Sequence, residues 1–198
     1  MDRASFKEII HLVVSLIVLT IAFTYPSLSP DRLVIVAISV GTGFILHELA
    51  HKFTAQRYGY VADYEASPMG LLMAIGLSII TKGDFVFAAP GAVMIRDKWI
   101  YNASEDLYRD TAKEFAYISI SGAVVNLILA LLFYIASLFA VKTGLAYAIL
   151  STGAFINVFL AGFNMIPFGP LDGAKVWRYN PVLWGLVGIP AIILFFII

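Results

Sequence analysis

The sequence predicts an all-α polytopic membrane protein, with about five to six membrane segments and a small interfacial β region after the second span. Three observations predict it. The 198 residues are 61% hydrophobic and 13% charged, with a mean hydropathy of +0.89; a soluble chain this apolar would leave aggregation-prone patches in water. Several apolar runs approach the roughly 20 residues that a helix needs to cross a hydrocarbon core of about 30 Å. Between two of these runs lies a segment of different texture, broken by glycine and proline.

The first run covers about residues 9–23 and closes at Tyr25-Pro26. Acidic Glu8 and His11, and the lack of a small-residue cleavage site before Pro26, favour a retained helix over a cleaved signal peptide. The second run starts near Leu33, after Ser29-Pro30-Asp31, and continues into His47-Glu48-Leu49-Ala50-His51. The third covers residues 115–141 and the fourth 145–163, while a last apolar run over residues 182–198 is short and contains Pro190. In the broken segment, residues 64–100, the piece 71–80 is too short to cross and reads as re-entrant or interfacial. Residues 85–95, interrupted by Pro90 and Gly91, read as strands near the interface. The length suits one membrane-embedded domain, residues 1–198 with a core of about 33–175, and no appended soluble module.

The absence of cysteine excludes disulfides, thiolate metal ligands and a cysteine nucleophile. With 13 basic and 13 acidic side chains and no like-charge run, nothing points to nucleic acid as a partner; membrane lipid explains the composition. Placing the N-terminus in the cytoplasm puts every lysine and arginine except Arg32 and Lys142 at or near the cytoplasmic side, as the positive-inside rule requires. That bias predicts a multi-pass protein of the cell membrane. Oligomeric state is not legible.

His47-Glu48-Leu49-Ala50-His51 fits the pattern H-E-x-x-H. Imidazoles four residues apart share one helix face, and the glutamate between them can reach a water on the metal. The motif lies inside an apolar run, where each ionisable group costs roughly 2.5–3.5 kcal/mol to insert and so needs a compensating partner. At about 1.5 Å per residue, His47 sits about 21 Å from Leu33, some two-thirds of the way across. The plainer reading makes His47 and His51 interfacial residues at a frayed helix end, with Glu48 paired to Lys52. His11, alone near the start of the first span, reads as an interfacial or packing residue. Two histidines leave a zinc site one protein ligand short. The third should be a carboxylate, and Asp172 is the best placed, after the fourth span in the turn-rich stretch Asn164-Met165-Ile166-Pro167-Phe168-Gly169-Pro170-Leu171-Asp172-Gly173. Taken alone, that stretch reads more simply as a solvent-exposed Asp-Gly turn.

These two motifs, 121 residues apart, make the chain resemble the site-2 proteases, which cleave transmembrane segments within the bilayer. HELAH at 47–51 is similar to the first motif of that family and NMIPFGPLDG at 164–173 to its second, Asn-x-x-Pro-x-x-Pro-x-Asp-Gly. A third element, Ser121-Gly122-Ala123-Val124-Val125-Asn126, keeps the asparagine of a family motif but carries Ala123 where the family tends to carry proline. The resemblance covers about residues 33–175. It implies a zinc metalloendopeptidase with Zn2+ on His47, His51 and Asp172, Glu48 as catalytic base, and transmembrane proteins as substrates. Asn126 could donate to the developing oxyanion. Asn157 and Asn164 could hold substrate or anchor the turn, or simply make interhelical hydrogen bonds. The strands expected over 85–95 could accept an extended substrate, or seal the cavity as a structural hairpin. Two readings from other classes use the same residues: a metal-binding transporter, for which the paired halves of such folds are missing, and a non-catalytic binder of transmembrane partners, against which the intact Glu48 argues.

Overall fold

The fold was analysed in a computed structural model that describes residues 6–98 and 105–197; Arg3 and Ile100 of the expectations above lie outside them. Its elements in chain order are α1 (Phe6–Thr24), α2 (Pro30–Arg57), β1 (Tyr60–Ala66), α3 (Pro68–Ile80), β2 (Gly91–Lys98), α4 (Glu105–Leu138), α5 (Leu145–Asn164), α6 (Asp172–Tyr179) and α7 (Pro181–Ile197). Among the described residues, four helices are long and apolar enough to cross a membrane: α1, α2, the Thr111–Leu138 part of α4, and α5. The shorter apolar helices α3 and α7 bring the apolar segments to six.

Local chemistry explains the boundaries. Ser29 caps α2 by accepting from the Arg32 N–H, with Pro30 and Asp31 in the first turn, where a missing N–H and a negative charge are both favourable. Ser67 does the same for α3 through the Gly70 N–H at 3.2 Å, followed by Pro68. Residues such as Ile9, Ile17, Val34, Leu131, Leu132, Phe196 and Ile197 face outward, as lipid-facing surfaces require.

The β region differs from the expected strands over residues 85–95. Only Gly91–Lys98 is strand, and it pairs antiparallel with Tyr60–Ala66 across the whole of α3. Residues 85–90 form no ladder; Pro90 lacks a donor, and its carbonyl instead accepts from the Ser67 N–H at 2.8 Å. The sheet is therefore not a local hairpin.

Helices α2, α4 and α5 pack together as the centre of the molecule, with α1 on α2, α3 on α1, and α7 on α5 and α6. Close approach of α2 and α5 depends on Gly43, where a Cβ would come within 2.9 Å of the Leu160 side chain and 3.1 Å of Asn157 Oδ1. A polar stripe on α1 holds the sheet. Glu8 accepts from the Tyr64 N–H at 3.1 Å, His11 Nδ1 from the Ala66 N–H at 3.3 Å, and the Ser15 and Tyr64 hydroxyls lie 2.8 Å apart. Glu8 also receives Lys52 Nζ at 2.8 and 2.6 Å, with Asp63 a more distant partner at 3.4 Å. The Lys52 ammonium thus pairs with Glu8 and Asp63, not with Glu48, and His11 is a packing residue.

Glu8 and Lys52 are both buried, and removing one member of such a pair leaves the other charge uncompensated. Glu8→Ala should therefore lower unfolding stability in detergent by about 3 kcal/mol, and Glu8→Gln with Lys52→Met by distinctly less. An unchanged unfolding midpoint in Glu8→Ala would show that the pair does not fasten α1 to the end of α2.

Candidate metal centre

His47 and His51 stand on successive turns of α2, both buried. Asp172 reaches them from the first turn of α6, because α5 ends at Met165 and the chain turns through Pro167, Gly169 (φ +62) and Pro170 before restarting as helix. The three side chains converge. His47 Nε2 and His51 Nε2 are 3.0 Å apart, and Asp172 Oδ2 lies 3.4 Å from the first and 2.9 Å from the second. They form a buried group able to hold a metal ion.

The hydrogen bonds test whether a metal fits. His51 Nδ1 lies 2.7 Å from the Ile118 carbonyl oxygen and His47 Nδ1 lies 2.5 Å from Asn126 Oδ1. Both partners are acceptors, so each Nδ1 carries the proton and each Nε2 presents a lone pair. Two lone pairs and a carboxylate oxygen thus point at one another across 2.9–3.4 Å, an arrangement relieved by a metal ion between them or by a proton on one Nε2. Tetrahedral Zn2+ with bonds of about 2.0–2.1 Å separates its ligands by about 3.3 Å, and two nitrogens and one oxygen form a usual three-ligand set for a catalytic site. The donors fit zinc.

Other groups complete the site. Asp172 Oδ1 accepts from Lys175 Nζ at 3.0 Å. Burial works to raise the Asp172 carboxyl, but His51, when its Nε2 carries a proton in place of a metal, and Lys175 outweigh it and hold the group well below the usual carboxylate range. Glu48 is buried beside the histidines, and among the described residues its Oε2 has no hydrogen-bond partner. A cavity of about 290 Å³ is lined by Glu48 and the donor trio, and also by Gly91–Ile95 of β2, Ile118 and Ser119 of α4, Asn164, Pro170 and Lys175.

The asparagines divide. Asn164 lines the cavity while giving one amide proton to the Leu160 carbonyl at 3.0 Å. Asn126 and Asn157 are both 0% exposed and absent from the cavity wall. Asn126 Nδ2 donates to the Gly43 carbonyl at 3.1 Å and to Asn157 Oδ1 at 2.8 Å, so both of its amide protons are committed. That differs from the expected oxyanion donor, which needs a proton facing the substrate.

The residues whose roles the sequence did not disclose are Lys175, three positions after Asp172, and Gly122, which sits in the third motif. A Cβ on Gly122 would fall 2.6 Å from His47 Nε2, His47 Cε1 and His51 Nε2, against the two metal-facing lone pairs. Gly122→Ala should accordingly lower zinc content and activity together, although alanine favours the helix over glycine by up to about 1 kcal/mol. Retention of stoichiometric zinc by that variant, read by elemental analysis, would show that the space at Gly122 is not needed.

Comparison with known proteins agrees with this chemistry. A Methanocaldococcus jannaschii protein named "Putative zinc metalloprotease" is 38% identical over 190 residues, covering 96% of this chain and 93% of its own. A second protein of that organism, named "Zinc metalloprotease", is 28% identical over 135 residues, which are 68% of this chain but 30% of that longer protein. No family model matches the chain. No solved structure matches it. Identity at this level over nearly the whole of both chains places the protein in the family of that first relative, the zinc metalloproteases.

Proposed function

We propose that the chain is an intramembrane zinc metalloendopeptidase of the site-2 protease type, formed as one membrane-embedded domain and hydrolysing peptide bonds within or near the transmembrane segments of other proteins. One observation carries this reading: His47, His51 and Asp172 meet beside Glu48 on a helix long enough to cross a membrane. His47 lies about 26 Å along α2 from Pro30 at 1.5 Å per residue, so the site is submerged and nearer one face. The basic-residue bias makes that face cytoplasmic and the membrane the cell membrane.

His47, His51 and Asp172 would hold the zinc. Bound there, zinc supplies Lewis acidity toward water and toward a peptide carbonyl. Glu48, whose side chain lines the cavity, takes a proton from water as the water oxygen bonds to the carbonyl carbon, and passes it to the amine nitrogen as the C–N bond breaks. Asn164 is the asparagine placed to donate to substrate, since one amide proton remains after its bond to Leu160. A helical substrate hides its peptide bonds in its own hydrogen bonds and must unwind before attack. The second edge of β2, beside the cavity, offers an extended segment the backbone partners it has lost.

The test uses purified protein and a transmembrane peptide. Hydrolysis should vanish with a chelator and return with zinc, and chelator-insensitive cleavage would refute the reading. Glu48→Gln should keep its zinc and lose at least roughly 100-fold in rate, whereas Asp172→Ala should lose zinc affinity and activity together. If Asp172→Ala competes for zinc as well as the parent protein does, the third ligand is not Asp172. Orientation has its own measurement. The chain contains no cysteine, so single cysteines at Arg57 and Lys175 should react only with reagent on the cytoplasmic side; reaction from outside would invert the topology.

A further inference from the structure

We infer that Asn126 and Asn157 form a relay that holds His47 in its metal-binding tautomer and ties that ligand to α5, so that both are positioning residues, not groups that touch substrate. The inference rests on His47 being a zinc ligand and adds what keeps it one.

Backbone carbonyls fix the direction of every bond in the relay. The Gly153 carbonyl can only accept, so the Asn157 atom 2.8 Å from it is the amide nitrogen. Asn157 Oδ1 is thereby turned toward Asn126. The Gly43 carbonyl likewise can only accept, so the Asn126 atom 3.1 Å away is Nδ2, which also lies 2.8 Å from Asn157 Oδ1. Asn126 Oδ1 is left facing His47 Nδ1 at 2.5 Å. An amide oxygen accepts only, so the imidazole proton must sit on Nδ1 and the Nε2 lone pair is free for metal. Reversing either amide would set two acceptors against each other at a carbonyl.

The relay spans three helices. Gly43 stands one turn before His47 on α2, Asn126 is on α4, and Asn157 and Gly153 are one turn apart on α5. With both asparagines fully buried, no water can replace a lost partner without opening the core. The other histidine is held differently: His51 Nδ1 donates to the main-chain carbonyl of Ile118, which no substitution of that side chain removes. Of the two imidazole ligands, His47 is therefore the one whose Nδ1 proton goes to a side chain at close range, Ser121 Oγ lying 3.4 Å from His51 Nδ1.

Zinc affinity by competition titration in detergent, and the visible absorption of the cobalt-substituted protein, separate positioning from catalysis. Asn126→Ala should weaken zinc roughly 10–100-fold, as loss of such an outer partner does, and should alter the cobalt spectrum. Asn126→Asp keeps an acceptor against His47 but sets its second oxygen against the Gly43 carbonyl and Asn157 Oδ1, so it should recover only part of the affinity lost in Asn126→Ala. Asn157→Ala, which removes the far link, should weaken zinc less than Asn126→Ala. Asn126→Ala that binds zinc like the parent and loses only kcat would overturn the inference and return Asn126 to the substrate. So would Asn126→Asp binding as weakly as Asn126→Ala. Where Asn126→Ala fails to fold, Asn157→Ala decides: wild-type zinc affinity with an unchanged cobalt spectrum in that variant overturns the relay. A parent protein that takes up no zinc would refute the metalloprotease reading itself, an outcome distinct from a parent and Asn126→Ala that bind equally well.

Discussion

Two imidazole lone pairs facing one another across 3.0 Å, with a carboxylate oxygen 2.9 Å from one of them, set the terms for the surrounding structure. Such an assembly repels itself without a cation, and each imidazole would turn away if it could. Rigid acceptors prevent this. Ile118 and Asn126 receive the Nδ1 protons from α4, and Gly122, on the same helix between them, presents no side chain to the metal-facing nitrogens. The packing of α4 on α2 thus sets the orientation of both imidazoles. Asp172 is held by the same logic, because Gly173 lies against the Met165 main chain, where a Cβ would collide with the backbone, and Trp184 Nε1 on α7 donates to the Met165 carbonyl at 2.9 Å. The turn that carries the third ligand is pinned from both sides.

Within a hydrocarbon medium each unpaired polar group costs several kcal/mol, and the same economy of partners appears away from the metal. Ser39, Thr24 and Ser151 return their hydroxyl protons to carbonyls one turn back on their own helices. Lys52, one residue beyond a metal ligand, would add a positive charge beside the site; Glu8 and Asp63 neutralise it. Among the described residues two buried side-chain atoms have no partner, Thr20 Oγ1 and Glu48 Oε2, and of these the second lies on a residue beside the metal ligands.

Much of the design was legible because it is written in local spacing. Apolar length located α1, α2, α4 and α5; Ser29-Pro30 and Tyr25-Pro26 marked their boundaries; and an i, i+4 pair of histidines can meet only on a helix. Asp172 was legible through its motif, since an Asp-Gly turn says nothing of what lies across from it. The rest depended on pairings that sequence distance conceals. Glu8 finds Lys52 44 residues away, and β1 finds β2 across an intervening helix, so residues 85–90 looked like strand while their backbone groups served a turn. Asn126, read from the sequence as a donor to the oxyanion, lies against His47 with both amide protons directed to Gly43 and Asn157. A buried asparagine has the same composition whether its proton faces a substrate or a neighbour's carbonyl, and only Gly43 and Asn157 decide which.

The two edges of the small sheet show how elements outside the ligand set shape what the cavity can receive. Each strand of a two-stranded sheet has one edge left over, and an unpaired edge invites another extended chain. On β1 that edge is covered, because Glu8 and His11 of α1 accept the Tyr64 and Ala66 N–H groups. β2, by contrast, runs along the cavity from Gly91 to Ile95. The polar stripe of α1 therefore does more than satisfy buried donors: it removes one of two places where an extended segment could pair and leaves the other beside Glu48 and the metal ligands. Under the proposed function, in which a substrate helix would have to unwind, this asymmetry would tie the N-terminal helix to the edge offered to unwound backbone, although α1 contributes no ligand and lies outside the motif-bearing helices.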